Sequence, residues 1–396
     1  MNNIESNTAT TWVGAWYAAP ARMLPASLSG RTLRQQIHLH AGGDRVRLRL
    51  SNRYGDAPVT LSSICVSSVS RVSGNPFLPP EEHDVPFQGQ TTLTLAAKQE
   101  AISDPVTLRV EGFSDLAITF FVAHGDCLTG HMGARQTSSI SGLGDMTKLP
   151  KEWGLFGYGL QTSAWWLITG IDVLPPRSLN AVVTLGSSTT DGYGSSASQN
   201  KRWPDYLARR LAGAGGTRFM SVINAGLDGN QLTSSEIPAA AGYGIPRHIT
   251  GEAGIQRLNW DVLAQPGATD LIVHIGSNDL RMGVPGATVT RHFQHLSSRV
   301  KKTYRRVFGT TILPGAYTPA QEAQRQSVNS WIREQGLQWF DAVFDFATPM
   351  TSPDDPGLLN PKYDSGDGIH PNDDGYQVMA EAVDFAQLTG SPDVTP

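Results

Sequence analysis

A serine, a glycine, an asparagine and an aspartate–histidine pair follow one another along this chain in an order that suits acyl transfer. Ser188 lies in Leu185-Gly186-Ser187-Ser188-Thr189-Thr190-Asp191-Gly192 and is the candidate nucleophile. Asn224-Ala225-Gly226-Leu227-Asp228-Gly229-Asn230 offers glycine backbone that can approach a ligand closely, and Gly276-Ser277-Asn278-Asp279 presents an asparagine amide. Asp367-Gly368-Ile369-His370-Pro371 holds a carboxylate and an imidazole three residues apart. A serine hydroxyl is a poor nucleophile until a base takes its proton, a task for a histidine of near-neutral pKa. The other ring nitrogen needs an acceptor, and Asp367 can serve His370 within one loop. A developing oxyanion needs donors fixed in advance, for which the Ser188 N–H, the Gly229 N–H and the Asn278 side-chain amide are the candidates.

These residues are useful only if a scaffold gathers them. The run Ala181-Val182-Val183-Thr184-Leu185 reads as a buried parallel strand directly ahead of Ser188. Further strands are expected at Phe219–Ile223, Asp270–Ile275, Val307–Leu313 and Ala342–Phe346. Between them the apolar period is helical: Trp203, Leu207, Leu211; then Val289, Phe293, Leu296, Val300, Tyr304; then Tyr376, Met379, Ala380, Val383. Pro371 restricts His370 to extended backbone, and Asn372, Asp373 and Asp374 read as a helix cap and first turn. Five β-α repeats describe a doubly wound parallel sheet, in which all four segments lie at strand C-termini and share one edge.

The first half has another rhythm. Val46, Leu48 and Leu50 alternate with Arg45, Arg47 and Arg49, and Leu116, Ile118, Phe120 and Val122 repeat the pattern. Glycine-rich turns such as Gly42-Gly43-Asp44 separate the runs, which predicts an all-β, jelly-roll-like sandwich. Pro175-Pro176 marks the junction, giving a sandwich over 1–175 and a catalytic domain over 176–396.

The four segments resemble those of the GDSL, or SGNH, hydrolase family, named for its serine, glycine, asparagine and histidine. The resemblance covers roughly Asn180 to Phe385. It implies a flavodoxin-like α/β sheet and an esterase, lipase, thioesterase or carbohydrate deacetylase that needs no metal or other cofactor. It carries the nucleophile to Ser188, the oxyanion donors to Gly229 and Asn278, and the aspartate and histidine to Asp367 and His370. The N-terminal half is similar to the β-sandwich of a two-domain bacterial branch, through Arg34-Gln35, Arg47-Leu48-Arg49-Leu50-Ser51-Asn52 and Ser103-Asp104-Pro105-Val106. In two places the chain departs from the family. Ser187 stands where the family usually has aspartate, which makes it a rival nucleophile, although the frame of Thr190-Asp191-Gly192 favours Ser188. The stretch from Gln231 to Gly254 is longer than the usual connection and is a candidate lid over the site. Gly226 competes with Gly229 as oxyanion donor.

The expected activity is hydrolysis of a short-chain acyl ester, acetyl being favoured and a carbohydrate alcohol suggested by the accessory sandwich. A longer-chain lipase or thioesterase is the alternative, with an apolar channel as its signature. A catalytically degenerate carbohydrate-binding protein and an acyltransferase are the remaining readings.

Bulk properties narrow the field. With 35 acidic and 31 basic residues the net charge is −4, which argues against a nucleic-acid partner. No run approaches the ~20 apolar residues of a membrane helix. The polar start, Met1 to Ala9, lacks a signal-peptide layout, so a cytoplasmic location is expected unless a leader was trimmed. Cys65 and Cys127 are too few for a disulfide framework and are expected reduced and buried. His38 and His40 lack a third metal ligand; Asp364-Ser365-Gly366-Asp367 lacks the later carboxylates of a calcium loop. The cluster Arg299, Lys301, Lys302, Arg305, Arg306 reads as a solvated helix face, Arg45-Arg47-Arg49 as a cross-strand pairing stripe, and Trp12, Trp16, Trp165 and Trp166 as packing residues.

Overall fold

The computed structural model describes residues 11–69, 82–148, 159–235 and 250–392. Among these, the strands up to Leu174 pair only antiparallel, in three sheets. In the first, Val13–Tyr17 lies beside Ile168–Leu174, which lies beside Gly43–Ser51. The second is built around Arg31–His38, Asp115–His124 and Val59–Ser68, and the third around Thr129–Met132. Alternation decides what each strand buries. Val46, Leu48 and Leu50 are fully buried, and the intervening Arg47 and Arg49 reach Asp172 on the neighbouring strand at 2.9 and 3.2 Å. Trp16 and Trp165 pack edge to face, with ring centroids 4.9 Å apart. The sheets together form a sandwich-like unit.

From Ala181 onward the pairing is parallel. The strands are β1 (Ala181–Gly186), β2 (Ser221–Ala225), β3 (Ala268–His274), β4 (Arg306–Thr310) and β5 (Ala342–Phe344). They lie in the order β2-β1-β3-β4-β5, the flavodoxin-like arrangement. β1 is buried along its whole length, Val182 in the core cluster of Trp203, Leu207 and Met379 and Val183 in the core shared with the sandwich, which is why it reads as a continuous apolar run. The helices are α1 (Ser188–Asp191), α2 (Trp203–Ala214), α3 (Ser277–Arg281), α4 (Gly286–Val300), α5 (Pro319–Gln335), α6 (Ala347–Met350) and α7 (Asp373–Glu381). The Asn372 side chain accepts from the Gly375 N–H and starts α7. Helix α5 has no counterpart in the apolar spacing: beside Val328 and Ile332 it buries Arg325 and Asn329, which tie it to the Ile312 backbone.

One hydrophobic core runs through both halves, from Val13 and Val46 to Leu271 and Phe293. Gly14 lies against β2: a Cβ there would sit 2.7 Å from Ile223 Cδ1, and Gly14 exchanges hydrogen bonds with Pro266 and Ser221. Buried polar contacts add to this seam. The Tyr17 hydroxyl donates to Asp261 at 2.6 Å, and His40 spans the Val222 carbonyl and Asp205. His38, for its part, pairs with Asp115 at 2.6 Å. Cys65 and Cys127 are free, buried thiols, and burial pushes both up to about 12.

Candidate active site

Glycine sets the turn after β1. A Cβ at Gly186 would lie 2.0 Å from Thr190 Oγ1, so only glycine lets the strand end so close to the following turn. The Ser187 carbonyl then accepts from the Thr190 and Asp191 N–H groups, both at 2.9 Å, and α1 presents Ser188 at its first position. Ser187 is buried at the N-cap. Ser188 Oγ, not Ser187, meets a base: His370 Nε2 lies 2.8 Å away.

The loop after β5 brings the histidine back across the sheet. Asp364 accepts from the Gly366 and Gly368 N–H groups, and Asp367 Oδ1 accepts from those of Ile369 and His370. The other Asp367 oxygen lies 2.6 Å from His370 Nδ1. Burial pushes the Asp367 carboxyl up, but these hydrogen bonds outweigh it and leave it below the ordinary carboxylate value. Burial also lowers the pKa of His370, against the pull of Asp367, and the Arg281 and Arg135 guanidinium groups lower it further. This environment favours the unprotonated imidazole, the form a base needs.

The candidate oxyanion donors surround the same space. Ser188, Gly229 and Asn278 all line one cavity with His370. Gly229 has φ +70°, a conformation that glycine adopts without strain. The Asn278 amide donates one N–H to the Asn230 carbonyl at 2.9 Å, which orients the group and leaves its second N–H available. Gly226 has a different task. Its N–H goes to Asn224 Oδ1, and a Cβ would lie 2.2 Å from the Asp191 nitrogen, so it admits α1 against the end of β2. Arg257 braces the ends of both strands, donating to the Gly186 and Ala225 carbonyls, to Asn230 Oδ1 and to Asp261.

The cavity measures about 690 Å³. Met132, Ile275, Met282, Ile312, Leu313, Pro314 and Ile369 give it largely apolar walls, and His274 below is held neutral, its pKa driven by burial down to about 3. Part of the wall comes from the sandwich: Met132, Gly133 and Arg135. Arg135 stacks over the Tyr193 ring at 4.5 Å, and that ring lies 4.4 Å from the His370 ring. Neither Arg135 nor Tyr193 stands out in the sequence, since contacts that cross between the halves leave no local pattern.

Of the other candidates, Arg299 binds the Ile255 carbonyl and Asn259, while Lys301 and Arg306 face Asp341. Asp364 is spent on its own loop. Among the described residues no group of three His, Cys, Asp or Glu side chains is placed to hold a metal, and no helix is long and apolar enough to cross a membrane. The candidate lid falls partly outside the described residues, at 236–249.

The sequence model of the GDSL-like Lipase/Acylhydrolase family matches residues 184–378. No curated protein matches. Among solved structures, a protein assigned to the G-D-S-L lipolytic family of Desulfitobacterium hafniense is 22% identical, covering 52% of this chain and 98% of its own, with a TM-score of 0.39. A GDSL-like lipase from Bacteroides thetaiotaomicron is 19% identical, covering 52% and 87%, with a TM-score of 0.38. A psychrotrophic esterase from Pseudoalteromonas sp. is 16% identical, covering 51% and 93%, also with a TM-score of 0.38.

Proposed function

Starting from residues 184–378 as a GDSL-like lipase/acylhydrolase domain, we propose that this chain is a serine esterase working through an acyl-enzyme on Ser188. The observation that carries the reading is the chain of contacts from Ser188 Oγ to His370 Nε2, 2.8 Å, and from His370 Nδ1 to Asp367, 2.6 Å. Ser188 Oγ attacks the ester carbonyl as His370 Nε2 takes its proton, and Asp367 stabilises the imidazolium. The N–H groups of Ser188 and Gly229 and the Asn278 amide receive the oxyanion. When the carbon–oxygen bond to the alcohol breaks, His370 returns the proton to the leaving oxygen. Water, deprotonated by the same imidazole, then releases the acid.

Cavity size bears on the substrate. An acetyl group on a small alcohol would leave most of about 690 Å³ unfilled, and the walls of Met132, Ile275, Met282, Ile312 and Leu313 suit apolar atoms. This favours an ester with an apolar portion of several carbons over the acetylated carbohydrate suggested by the accessory sandwich.

The test is hydrolysis of p-nitrophenyl esters of rising chain length, beside Ser188→Ala. Turnover that vanishes in the variant, with an optimum beyond acetate, supports the reading; turnover surviving in Ser188→Ala moves the nucleophile elsewhere. Failure of a fluorophosphonate to label the wild-type protein would mark it as a binding protein instead.

A further inference from the structure

The sandwich brings charge as well as surface to the cavity. His131, on the strand Thr129–Met132, is fully buried, with Nδ1 2.8 Å from the Ala19 carbonyl and Nε2 2.9 Å from Asp191 Oδ1. Both nitrogens face acceptors. Burial disfavours the imidazolium, but Asp191 and the carbonyl outweigh it and raise the pKa. Asp191 Oδ2 and Asp228 Oδ1 are both buried without a hydrogen-bond partner. Burial and the neighbouring Asp191 push Asp228 well above the usual carboxylate range. Arg135 Nη2 lies 3.2 Å from the far oxygen of Asp228. Arg135 is thus the cation that the sandwich presents to the cavity, beside Asp228.

The opposite wall carries a second cation. Arg281 donates to the Ala316 and Gly315 carbonyls and stacks over Tyr317 at 4.1 Å, and it meets no carboxylate among the described residues. Asp228 is the one acidic residue among the described residues that line the cavity. Both guanidinium groups line the cavity that Ser188 and His370 also line. An apolar cavity with excess positive charge beside the nucleophile is complementary to a substrate with an apolar body and one anionic group.

Building on the esterase reading above, we propose that this cavity selects esters carrying a carboxylate, received by Arg135 from the sandwich and by Arg281. The sandwich is then part of the specificity pocket rather than a separate binding module. Arg135 contributes a planar donor fork already fixed by the Tyr193 ring, so little freedom is lost when a carboxylate docks.

The experiment compares matched esters that differ only in charge. On the acyl side, the p-nitrophenyl ester of monomethyl succinate is set against that of succinate. On the alcohol side, methyl 4-acetoxybenzoate is set against 4-acetoxybenzoate. A charge-assisted contact predicts a kcat/KM ratio, anionic over neutral, of about 10 to 100 in at least one pair, and that pair tells which side of the ester carries the carboxylate. Arg135→Met and Arg281→Met should each reduce the ratio at least about fivefold, mainly through KM; a ratio is read because any general loss cancels. Raising salt should shrink the wild-type ratio as well. Neutral esters turned over as fast as, or faster than, both anionic partners would overturn the inference and leave the esterase reading standing. Absence of turnover of all four esters would remove both.

Discussion

His131 Nε2 lies 2.9 Å from Asp191 Oδ1, a contact that ties a strand of the sandwich to the short helix bearing Ser188. Both groups are buried, so removing either strands the other. His131→Phe should therefore cost about 3–5 kcal/mol, read by urea unfolding. Because the folded pKa of His131 is raised, the stabilisation is complete below the unfolded value of about 6.5 and fades as pH rises through the folded value. The gap between wild type and variant should be widest at acidic pH; a gap that widens towards alkaline pH would contradict a protonated His131.

Turnover should depend on the contacts around Ser188 in graded fashion. Ser188→Ala and His370→Ala are expected to abolish it, and Asp367→Asn to lower kcat by about 10⁴. Asn278→Ala should lose about 10²–10³ in kcat. A loss below threefold in that last variant would exclude Asn278 from the oxyanion site.

The acid limb of kcat/KM reports when His370 becomes protonated. Its pKa is lowered by burial, and by Arg281 and Arg135 as well, so activity should persist below pH 6.5, the ordinary histidine value, and fall only at more acidic pH. Arg135→Met removes one of these cations and should move the limb upward. A wild-type limb centred above 6.5 would be inconsistent with this environment.

Two glycine substitutions should have opposite effects. Gly226→Ala places a Cβ 2.2 Å from the Asp191 backbone, which cannot move aside without shifting α1, so the variant should lose both stability and turnover. Gly213 lies in α2 with open space around it, and Gly213→Ala should stabilise by about 0.5–1 kcal/mol with turnover unchanged. Thermal melts and steady-state rates of the two proteins decide the matter.

The sheet was legible because its strands are buried on both faces, which leaves runs such as Val182-Val183 that no surface element would carry. Ser188, Gly229, Asn278, Asp367 and His370 were legible because each falls where a strand or its loop ends, within a few residues of a turn signal. The readings that escaped share a cause. Arg135, Tyr193 and His131 act across a seam between distant segments, and seams follow from shape rather than from spacing. Helix α5 escaped because Arg325 and Asn329 take inward positions that apolar periodicity assigns to aliphatic side chains.

The continuous core between the strand Val13–Tyr17 and β2 bears on how such a protein can be recombined. A module that travels between genes must carry its own finished surface. Here, a break at Pro175-Pro176 would uncover Ile223 on one fragment and Val13 on the other, both fully buried in the intact chain. Each half therefore keeps its apolar face covered only while the other is present, and substitutions that reshape the pocket are open to selection from either side of the junction.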